Sequence, residues 1–335
     1  MIGAALDFWD ERRAARGDPW KKVTHPVVDA ALPFPDMASS FDLGALCDRA
    51  EAAANDPSFF EPVRLPPQDV RWSNGWIHFP SSIEGEVEAN NVVHASVDAS
   101  DGSDHALIVL HHWNARRRSK RLAKFFVRQG ITVVQMAMPY HMERSRPQSE
   151  IVDDILSPNL GRTLRSMRQA VLDARTLVQV LHDAGYSRVS VLGMSLGSWV
   201  AGIVAAHDAR VRVGGLFLSA GSLADMVWAG RATRHIRRSF DGVIELGQLR
   251  RAWAPLDLNR YADKLARPDL SLRFVLGRRD EVVPPELSIV LLNSIKASGE
   301  EPRVLWLGCG HYSLSLPPFS LWAGRCMGTA LREPV

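Results

Sequence analysis

Hydrophobic and polar residues are arranged along the chain in blocks that predict strands and helices in turn. Two nearly continuous apolar runs, His105 to Trp113 and Ile131 to Pro139, are typical of strands buried on both faces. Between Leu164 and Leu181 apolar residues recur every three or four positions, which predicts a helix with one buried stripe. The alternation continues with strands at 187–192, 213–219, 272–276 and 303–307, and with helices at 196–207, 285–297 and about 318–331. Such alternation predicts an α/β fold with a mostly parallel sheet and helices on both faces.

Two antiparallel strands and a cap complete this picture. The segments "GWIHFPS" and "VVHASVDA", which follow Trp72, predict two antiparallel strands and bring the expected sheet to eight strands. Residues 221–262 interrupt the alternation between two strands, and we expect them to form a small inserted cap of short helices. The main domain is expected to span residues 72–335.

The N-terminal part of the chain has a different character. Residues 1–71 carry many prolines and short helical patterns, such as the segment from Phe41 to Asp56. We expect this part to be a helical extension packed on the core.

Composition describes an ordinary globular chain, with 46% hydrophobic and 23% charged residues. The apolar stretches are shorter than the ~18 residues of a membrane-spanning helix, and the N-terminus lacks the apolar core of a secretion signal. Cys47, Cys309 and Cys326 show no metal-like spacing and are expected to be free thiols. We therefore expect a soluble, cytoplasmic protein. The net charge of +3 does not indicate a nucleic-acid partner, and no metal cluster or nucleotide-binding motif predicts a cofactor.

A candidate nucleophile lies in the segment "VSVLGMSLGSWVAG", which begins at Val189. Here a predicted strand passes into a predicted helix through Gly193, Ser195 and Gly197. Glycines at these two positions allow strand and helix to approach closely, and the sharp turn exposes the serine hydroxyl at the N-terminus of the helix. The pattern predicts a nucleophilic serine at position 195, although a tight turn with an idle hydroxyl would fit the same string.

A serine hydroxyl needs a base to take its proton and an acid to orient that base. Asp280 follows a predicted strand in "LRFVLGRRDEVVPP", and His311 follows another in "RVLWLGCGHYSL". Because the carboxyl ends of parallel strands meet at one sheet edge, we expect Ser195, Asp280 and His311 to meet there. The order serine, aspartate, histidine along the chain is the order that accompanies this strand–turn–helix motif.

Other acids and other roles stay open at this point. Asp257, Asp263 and Glu281 could serve as the acid, but none follows a buried strand so clearly. Asp280 could instead cap the next helix or pair with a neighbouring arginine.

The motifs "GMSLG", "GRRDEVVP" and "GCGHY" give residues from about 72 to 331 a resemblance to the α/β-hydrolase superfamily, of the serine esterase type. Within it, "HHW" and "MPYHMERSRP" are similar to segments of dienelactone-hydrolase-like and acyl-peptidase-like esterases and of an abhydrolase-domain subgroup. The resemblance implies the α/β-hydrolase fold and hydrolysis of carboxylic esters through an acyl-enzyme intermediate. It also implies an oxyanion hole formed by the backbone N–H groups of Leu196 and Trp113, with His112 in place of the customary glycine.

Alternative activities share this constellation. A thioesterase or a (phospho)lipid deacylase would use the same three residues with a different pocket, and a catalytically silent binding protein could keep the fold. A small-molecule ester or lipid is therefore the expected partner, while the chain length of the acyl group and the oligomeric state are not determined.

Arginines suggest that the substrate is anionic. They cluster after the expected oxyanion loop (Arg116, Arg117, Arg118, Lys120 and Arg121) and in the cap (Arg231, Arg234, Arg237, Arg238, Arg250 and Arg251, against Asp241 and Glu245). Arginine suits bidentate recognition of carboxylate or phosphate groups. His112, His141, Arg144 and Arg146 are the candidate pocket or anion-binding residues. A solvated charged face is the alternative explanation of the same clusters.

Overall fold

A single nine-stranded sheet forms the centre of the computed structural model, which describes residues 2–37 and 42–333. The strands are β1 (Arg71–Ser73), β2 (Trp76–Pro80), β3 (Val92–Asp98), β4 (His105–Leu110), β5 (Thr132–Met136), β6 (Arg188–Met194), β7 (Val211–Phe217), β8 (Ser271–Gly277) and β9 (Arg303–Leu307). Their spatial order is β1-β2-β3-β5-β4-β6-β7-β8-β9. The six strands from β5 to β9 in this order are parallel, and β1 to β3 join them in antiparallel pairing.

The mostly parallel sheet is confirmed, with one strand more than the eight expected. The additional strand, β1, consists of three residues that are all exposed. Its sequence, "RWS", has no apolar alternation, because an exposed edge strand buries neither face. Backbone pairing with β2 alone defines it.

Helices cover both faces of the sheet. They are α1 (Ile2–Ala15), α2 (Leu43–Ala54), α3 (Lys120–Val127), α4 (Leu160–Asp183), α5 (Leu196–His207), α6 (Leu223–Ala229), α7 (Arg234–Ser239), α8 (Leu246–Ala252), α9 (Ala262–Leu265), α10 (Pro285–Ala297) and α11 (Phe319–Arg332). One core cluster joins α4, α5 and α10 to one face, and a second joins α3 and α11 to the other. The helices on both faces confirm the expected α/β architecture.

Several element boundaries differ from the predicted ones for local reasons. The helix predicted from position 164 begins at Leu160, because the Asn159 side chain caps it by accepting a hydrogen bond from the Arg162 N–H. The strands predicted to reach positions 113 and 139 end at Leu110 and Met136, and the residues that follow each strand form loops. Phe41, which begins one of the predicted N-terminal helical segments, lies outside the described residues.

The segment 221–262 contains short helices that pack against α2 on one side. The Cys47 thiol on α2 donates to the Gln248 carbonyl on α8 at 3.4 Å, and Arg251 forms ion pairs with Asp48 and Glu51. Helix α1 contacts another part of this segment, where Arg231 binds Glu11. The N-terminal residues therefore contact the inserted helices through both α1 and α2.

Of the helices that the structure describes, none combines the length and the apolar character needed to cross a membrane.

Candidate active site

Ser195 occupies a strained turn between β6 and α5. Its φ of 52° and ψ of −124° lie in a region that residues with side chains rarely adopt. The turn is held by a hydrogen bond of 2.9 Å from the Ser195 N–H to the Phe217 carbonyl on the neighbouring strand β7. A strained turn of this kind can present a serine side chain at the end of a strand.

Two glycines permit this turn. A Cβ at Gly193 would overlap the carbonyl oxygen of Gly197, and a Cβ at Gly197 would overlap the carbonyl oxygens of Leu110 and His111. Helix α5 therefore begins in direct contact with the end of β4. Any side chain at either position would push the helix away from the sheet.

The structure brings Ser195, His311 and Asp280 together in one hydrogen-bonded chain. His311 Nε2 lies 2.9 Å from Ser195 Oγ, and His311 Nδ1 lies 2.7 Å from Asp280 Oδ2. Because Asp280 Oδ2 can accept the Nδ1–H, Nε2 is left to accept the hydroxyl proton of Ser195. The His311 and Asp280 side chains are only 9% and 2% exposed, so water barely competes for these bonds.

Both oxygens of the Asp280 carboxylate form hydrogen bonds. Its Oδ1 accepts hydrogen bonds from the backbone N–H groups of Val282 and Val283, both at 2.8 Å. Helix α10 begins only at Pro285, so Asp280 does not cap it. Arg279 pairs instead with Asp7 on α1.

The three alternative acids lie elsewhere. Asp257 accepts hydrogen bonds from Asn259 within the inserted segment, and burial raises its pKa. Asp263 and Glu281 are exposed at the surface. Asp280 is therefore the acid that contacts His311.

The loop after β4 is expected to provide the second donor of an oxyanion hole. Hydrogen bonds of His111 hold this loop in place. His111 is buried, donates from Nδ1 to the His112 carbonyl at 2.9 Å, and accepts from the Met138 N–H at 3.1 Å. Burial holds the pKa of His111 well below its usual range, so the ring stays neutral. This bonding braces the loop.

Leu196 and Trp113, the two expected oxyanion donors, lie in different local environments. Leu196 is the first residue of α5, a position whose N–H has no acceptor inside the helix. The indole of Trp113 donates to the Val152 carbonyl at 2.9 Å and stacks on His235 of the inserted segment, with 6.2 Å between ring centroids. The inserted helices thus fix the loop that carries Trp113.

His112 follows His111 in the loop after β4, and its side chain is exposed. Its Nδ1 donates to the Trp113 carbonyl at 2.7 Å. A role of His112 in a substrate pocket stays a prediction.

His141 does not line a pocket, contrary to the expectation from sequence. It is fully buried, donates from Nδ1 to the Pro139 carbonyl at 2.9 Å, and accepts from the Asn114 N–H at 3.1 Å. Burial lowers the pKa of His141 to about 3. Both ring nitrogens are therefore used to hold loops together.

Arg144 and Arg146 are also not free to bind an anion, which corrects the expectation for both. Arg144 is fully buried and pairs with Asp173 of α4 at 2.9 Å. Arg146 is bound by the carboxylates of Glu86 and Asp154, at 3.2 and 3.1 Å. A substrate anion would have to displace a carboxylate that each guanidinium already holds.

Most of the other clustered arginines are paired as well. Arg118 makes two hydrogen bonds to Glu143, at 2.7 and 2.8 Å, and Arg116 pairs with Glu150. The paired arginines of the inserted segment are Arg231 (with Glu11 and Asp18), Arg237 (with Asp241), Arg250 (with Asp225) and Arg251 (with Asp48 and Glu51). This pairing favours a charged structural surface over an anion-binding pocket.

Asp10 is a residue near the site that the sequence did not indicate. It lies on α1, yet its carboxylate bonds to the loop that carries His311, accepting from the N–H groups of Tyr312 and Ser313. No motif links α1 to that loop, because about 300 residues separate them and only the fold brings them together. Within residues 2–37 and 42–333, no group of three or more His, Cys, Asp or Glu side chains could hold a metal ion.

Solved structures of similar fold exist at low sequence identity. Acetyl xylan esterase 1 from Thermoanaerobacterium sp. JW/SL YS485 is 18% identical, with a TM-score of 0.62 over 95% of this chain and 98% of that chain. Acetyl xylan esterase from Paenibacillus sp. R4 is 15% identical, with a TM-score of 0.59 over 90% and 98%. The Pyrococcus furiosus esterase Pf2001 is 19% identical, with a TM-score of 0.55 over 81% and 98%. No family model and no curated protein matches the sequence. The likeness shows that this chain has the α/β-hydrolase fold.

Proposed function

We propose that this α/β-hydrolase-fold protein is a serine hydrolase that cleaves carboxylic esters. The observation that carries the proposal is the chain of hydrogen bonds from Ser195 through His311 to Asp280, at 2.9 and 2.7 Å. Each residue follows a different strand of the sheet, and Ser195 lies in the strained turn that such chemistry requires. The esterases of similar fold support the choice of an ester substrate.

The proposed reaction begins with attack by Ser195. Ser195 Oγ attacks the ester carbonyl carbon while its proton passes to His311 Nε2, and the Asp280 carboxylate stabilises the imidazolium that forms. In our proposal the N–H groups of Leu196 and Trp113 bind the developing oxyanion. His311 then gives the proton to the departing alcohol, which leaves an acyl-Ser195 intermediate.

The same residues then hydrolyse the acyl-enzyme intermediate. A water molecule gives a proton to His311 Nε2 as its oxygen attacks the acyl carbon. The second tetrahedral intermediate then collapses, the bond to Ser195 Oγ breaks, and His311 returns the proton to that oxygen. The products are one carboxylic acid and one alcohol for each ester cleaved.

The test combines covalent labelling with turnover. A fluorophosphonate probe should label Ser195 in the folded protein, and short activated esters should be hydrolysed. The Ser195→Ala variant should keep the same unfolding transition, lose the label and lose kcat by about 10⁶-fold, as removal of such a nucleophile does.

The outcomes separate the alternatives. A folded protein in which Ser195 is not labelled and no ester is hydrolysed would indicate a silent binding protein. Retained turnover in Ser195→Ala would refute the assignment of the nucleophile. A series of esters, thioesters and phospholipids of increasing acyl length then identifies the class that is turned over fastest.

We further propose that the enzyme works in a reducing compartment, with the cytoplasm as the site to test. Its three cysteines are free thiols, and Cys47 and Cys309 are buried. Burial raises the pKa of Cys309 to about 12, which keeps this thiol protonated and unreactive. Cell fractionation with an antibody to the protein would locate it.

A further inference from the structure

Helix α1 touches the loops that carry both partners of Ser195. Asp7 pairs with Arg279, the residue before Asp280, with 2.7 Å between Asp7 Oδ1 and Arg279 Nε. Asp10 contacts the loop around His311. The helix therefore lies against both loops of the proposed proton-transfer chain, although it is separated from them by most of the sequence.

Asp10 contacts the backbone on both sides of His311. Oδ1 of Asp10 accepts hydrogen bonds from the N–H groups of Tyr312 at 2.5 Å and Ser313 at 3.0 Å. On the other side of His311, Gly310 approaches so closely that a Cβ there would lie 2.7 Å from Asp10 Oδ2. The loop thus wraps around the carboxylate of Asp10. The backbone of His311 lies between the residues that this carboxylate contacts.

Further ion pairs hold the N-terminal segment in this position. Arg231 of the inserted segment binds Glu11 at 2.6 Å and Asp18 at 2.7 Å. The hydrogen bond to Arg231 lowers the pKa of Asp18 to about 2, so this carboxylate stays charged at neutral pH. The Arg231 N–H also donates to the Glu281 carbonyl at 2.7 Å, next to Asp280.

The two oxygens of the Asp10 carboxylate differ in their contacts, and both bonds to the His311 loop use Oδ1. Its second oxygen, Oδ2, is buried and forms no hydrogen bond with any residue that the structure describes. A buried acceptor without a partner destabilises a protein.

We propose that Asp10 is a positioning residue that holds the His311 loop at the geometry needed for proton transfer from Ser195. This inference rests on the proposed hydrolase function. Proton transfer requires His311 Nε2 to stay within hydrogen-bond reach of the serine, and a displacement of about 1 Å can lower the rate by roughly 10²-fold. Asp10 acts on the position of His311 and does not touch the substrate.

Two substitutions at Asp10 distinguish the effect of its oxygen position on kcat from the effect of its charge. Asp10→Asn removes the charge but keeps an oxygen that can accept from Tyr312 and Ser313. Asp10→Glu keeps the charge but adds a carbon–carbon bond of ~1.5 Å, which displaces the acceptor. We expect kcat within about 3-fold of wild type for Asn and a loss of about 10-fold or more for Glu, with KM little changed in both.

Arg12→Gln is the matched control, because it neutralises an exposed charged residue on the same helix. It leaves the contacts of Asp10 and the bonds of Glu11 to Arg231 in place. We expect its kcat to stay within about 2-fold of wild type. An equal loss in Arg12→Gln and Asp10→Glu, or a loss in Asp10→Asn as large as in Asp10→Glu, would overturn the proposal.

Hydrogen exchange tests the contact without any turnover. The amides of Tyr312 and Ser313 should exchange slowly in the wild type and in Asp10→Asn, and faster in Asp10→Glu. If the wild type neither hydrolyses esters nor reacts with a fluorophosphonate, the proposed function has failed. Rapid exchange at both amides of the wild type would instead overturn the positioning role of Asp10 itself.

Discussion

Ser195 adopts a backbone conformation that costs of order 1–3 kcal/mol for a residue with a side chain. The surrounding structure holds it there through the bond to Phe217 and the close contact between Gly193 and Gly197. The strain places the hydroxyl 2.9 Å from His311. At the scale of single residues, the hydrogen bonds of the site depend on which donor hydrogens face which acceptor lone pairs.

The role of Asp280 can be tested by changing one atom. In Asp280→Asn the side-chain amide N–H₂ would face His311 Nδ1, while the remaining oxygen still accepts from Val282 and Val283. The imidazole would then carry its proton on Nε2, which prevents it from accepting the Ser195 proton. We expect kcat to fall by about 10⁴-fold at pH 7.5, measured with a short activated ester.

Glu281→Gln is the matched control for this substitution. It neutralises the next residue along the chain, whose side chain is exposed. Its kcat should match that of the wild type. A loss as large as that of Asp280→Asn would identify Glu281 as the acid and refute the assignment of Asp280.

The contact between α5 and the end of β4 is the feature that matters at the scale of elements. Gly197 lies against the carbonyl oxygens of Leu110 and His111, so the helix that follows Ser195 and the strand that precedes the loop of Trp113 are in direct contact. This contact places the N-terminus of α5 next to the loop that carries Trp113.

Gly197→Ala should break that contact. The added methyl group would overlap backbone atoms, which cannot move as a flexible side chain can, and overpacking of this kind costs about 1–3 kcal/mol or more. We expect a lower urea midpoint for unfolding and a loss of ester turnover in the fraction that stays folded.

Gly247→Ala, in the short helix α8, is the corresponding control. A Cβ at this position meets no atom within 4 Å, and alanine favours helix more than glycine does. Its urea midpoint should equal or exceed that of the wild type. Equal stability of the two alanine variants would show that the close approach at Gly197 is not required.

At the scale of the whole molecule, charged residues join segments that are far apart in the sequence. Arg231 links the inserted helices to α1, and Arg144 joins the loop after β5 to Asp173 in α4. These pairs hold the parts around the sheet together. They also explain why many arginines near the site do not create an anion-binding pocket.

Buried histidines should make the stability of the whole protein depend on pH. Burial lowers the pKa of His105, His207 and His235 to about 4, and that of His141 to about 3. Because these values lie below 6.5, the unfolded chain binds more protons as the pH falls from about 6.5 to 4. The free energy of unfolding should therefore fall across this window, by up to about 1.4 kcal/mol per pH unit for each histidine.

Urea unfolding at pH 7.5, 6.0, 5.0 and 4.5 would measure this slope. His105→Gln should make it shallower, because it removes a buried ring that contacts Ser190 at 2.8 Å. His182→Gln, which removes an exposed histidine from α4, should leave it unchanged. Identical slopes for the two variants would contradict buried histidines as the cause of the pH dependence.

Local patterns predicted the larger part of the fold. The helices at 196–207 and 285–297 and the strand at 303–307 have the predicted bounds. Apolar periodicity marks these elements because each buries one or both faces. The strand β1 was missed because its three residues bury neither face and are held only by pairing with β2.

The candidate site was predictable where its residues follow buried strands. Ser195, Asp280 and His311 each come after such a strand, and parallel strands end at one edge of the sheet. The expectations for His141, Arg144 and Arg146 were wrong because the bonds of a polar side chain depend on partners that sequence distance does not reveal. Asp10 carried no sequence signal for the same reason.

The sequence by itself determined the α/β order, the turn at Ser195 and the three residues that could form a proton-transfer chain. These features depend on short-range periodicity and on the geometry that parallel sheets impose. Only the tertiary structure decided which charges are paired and which helix supports the His311 loop. Such contacts join residues that are distant along the chain, and their energies exist only once folding has brought them together.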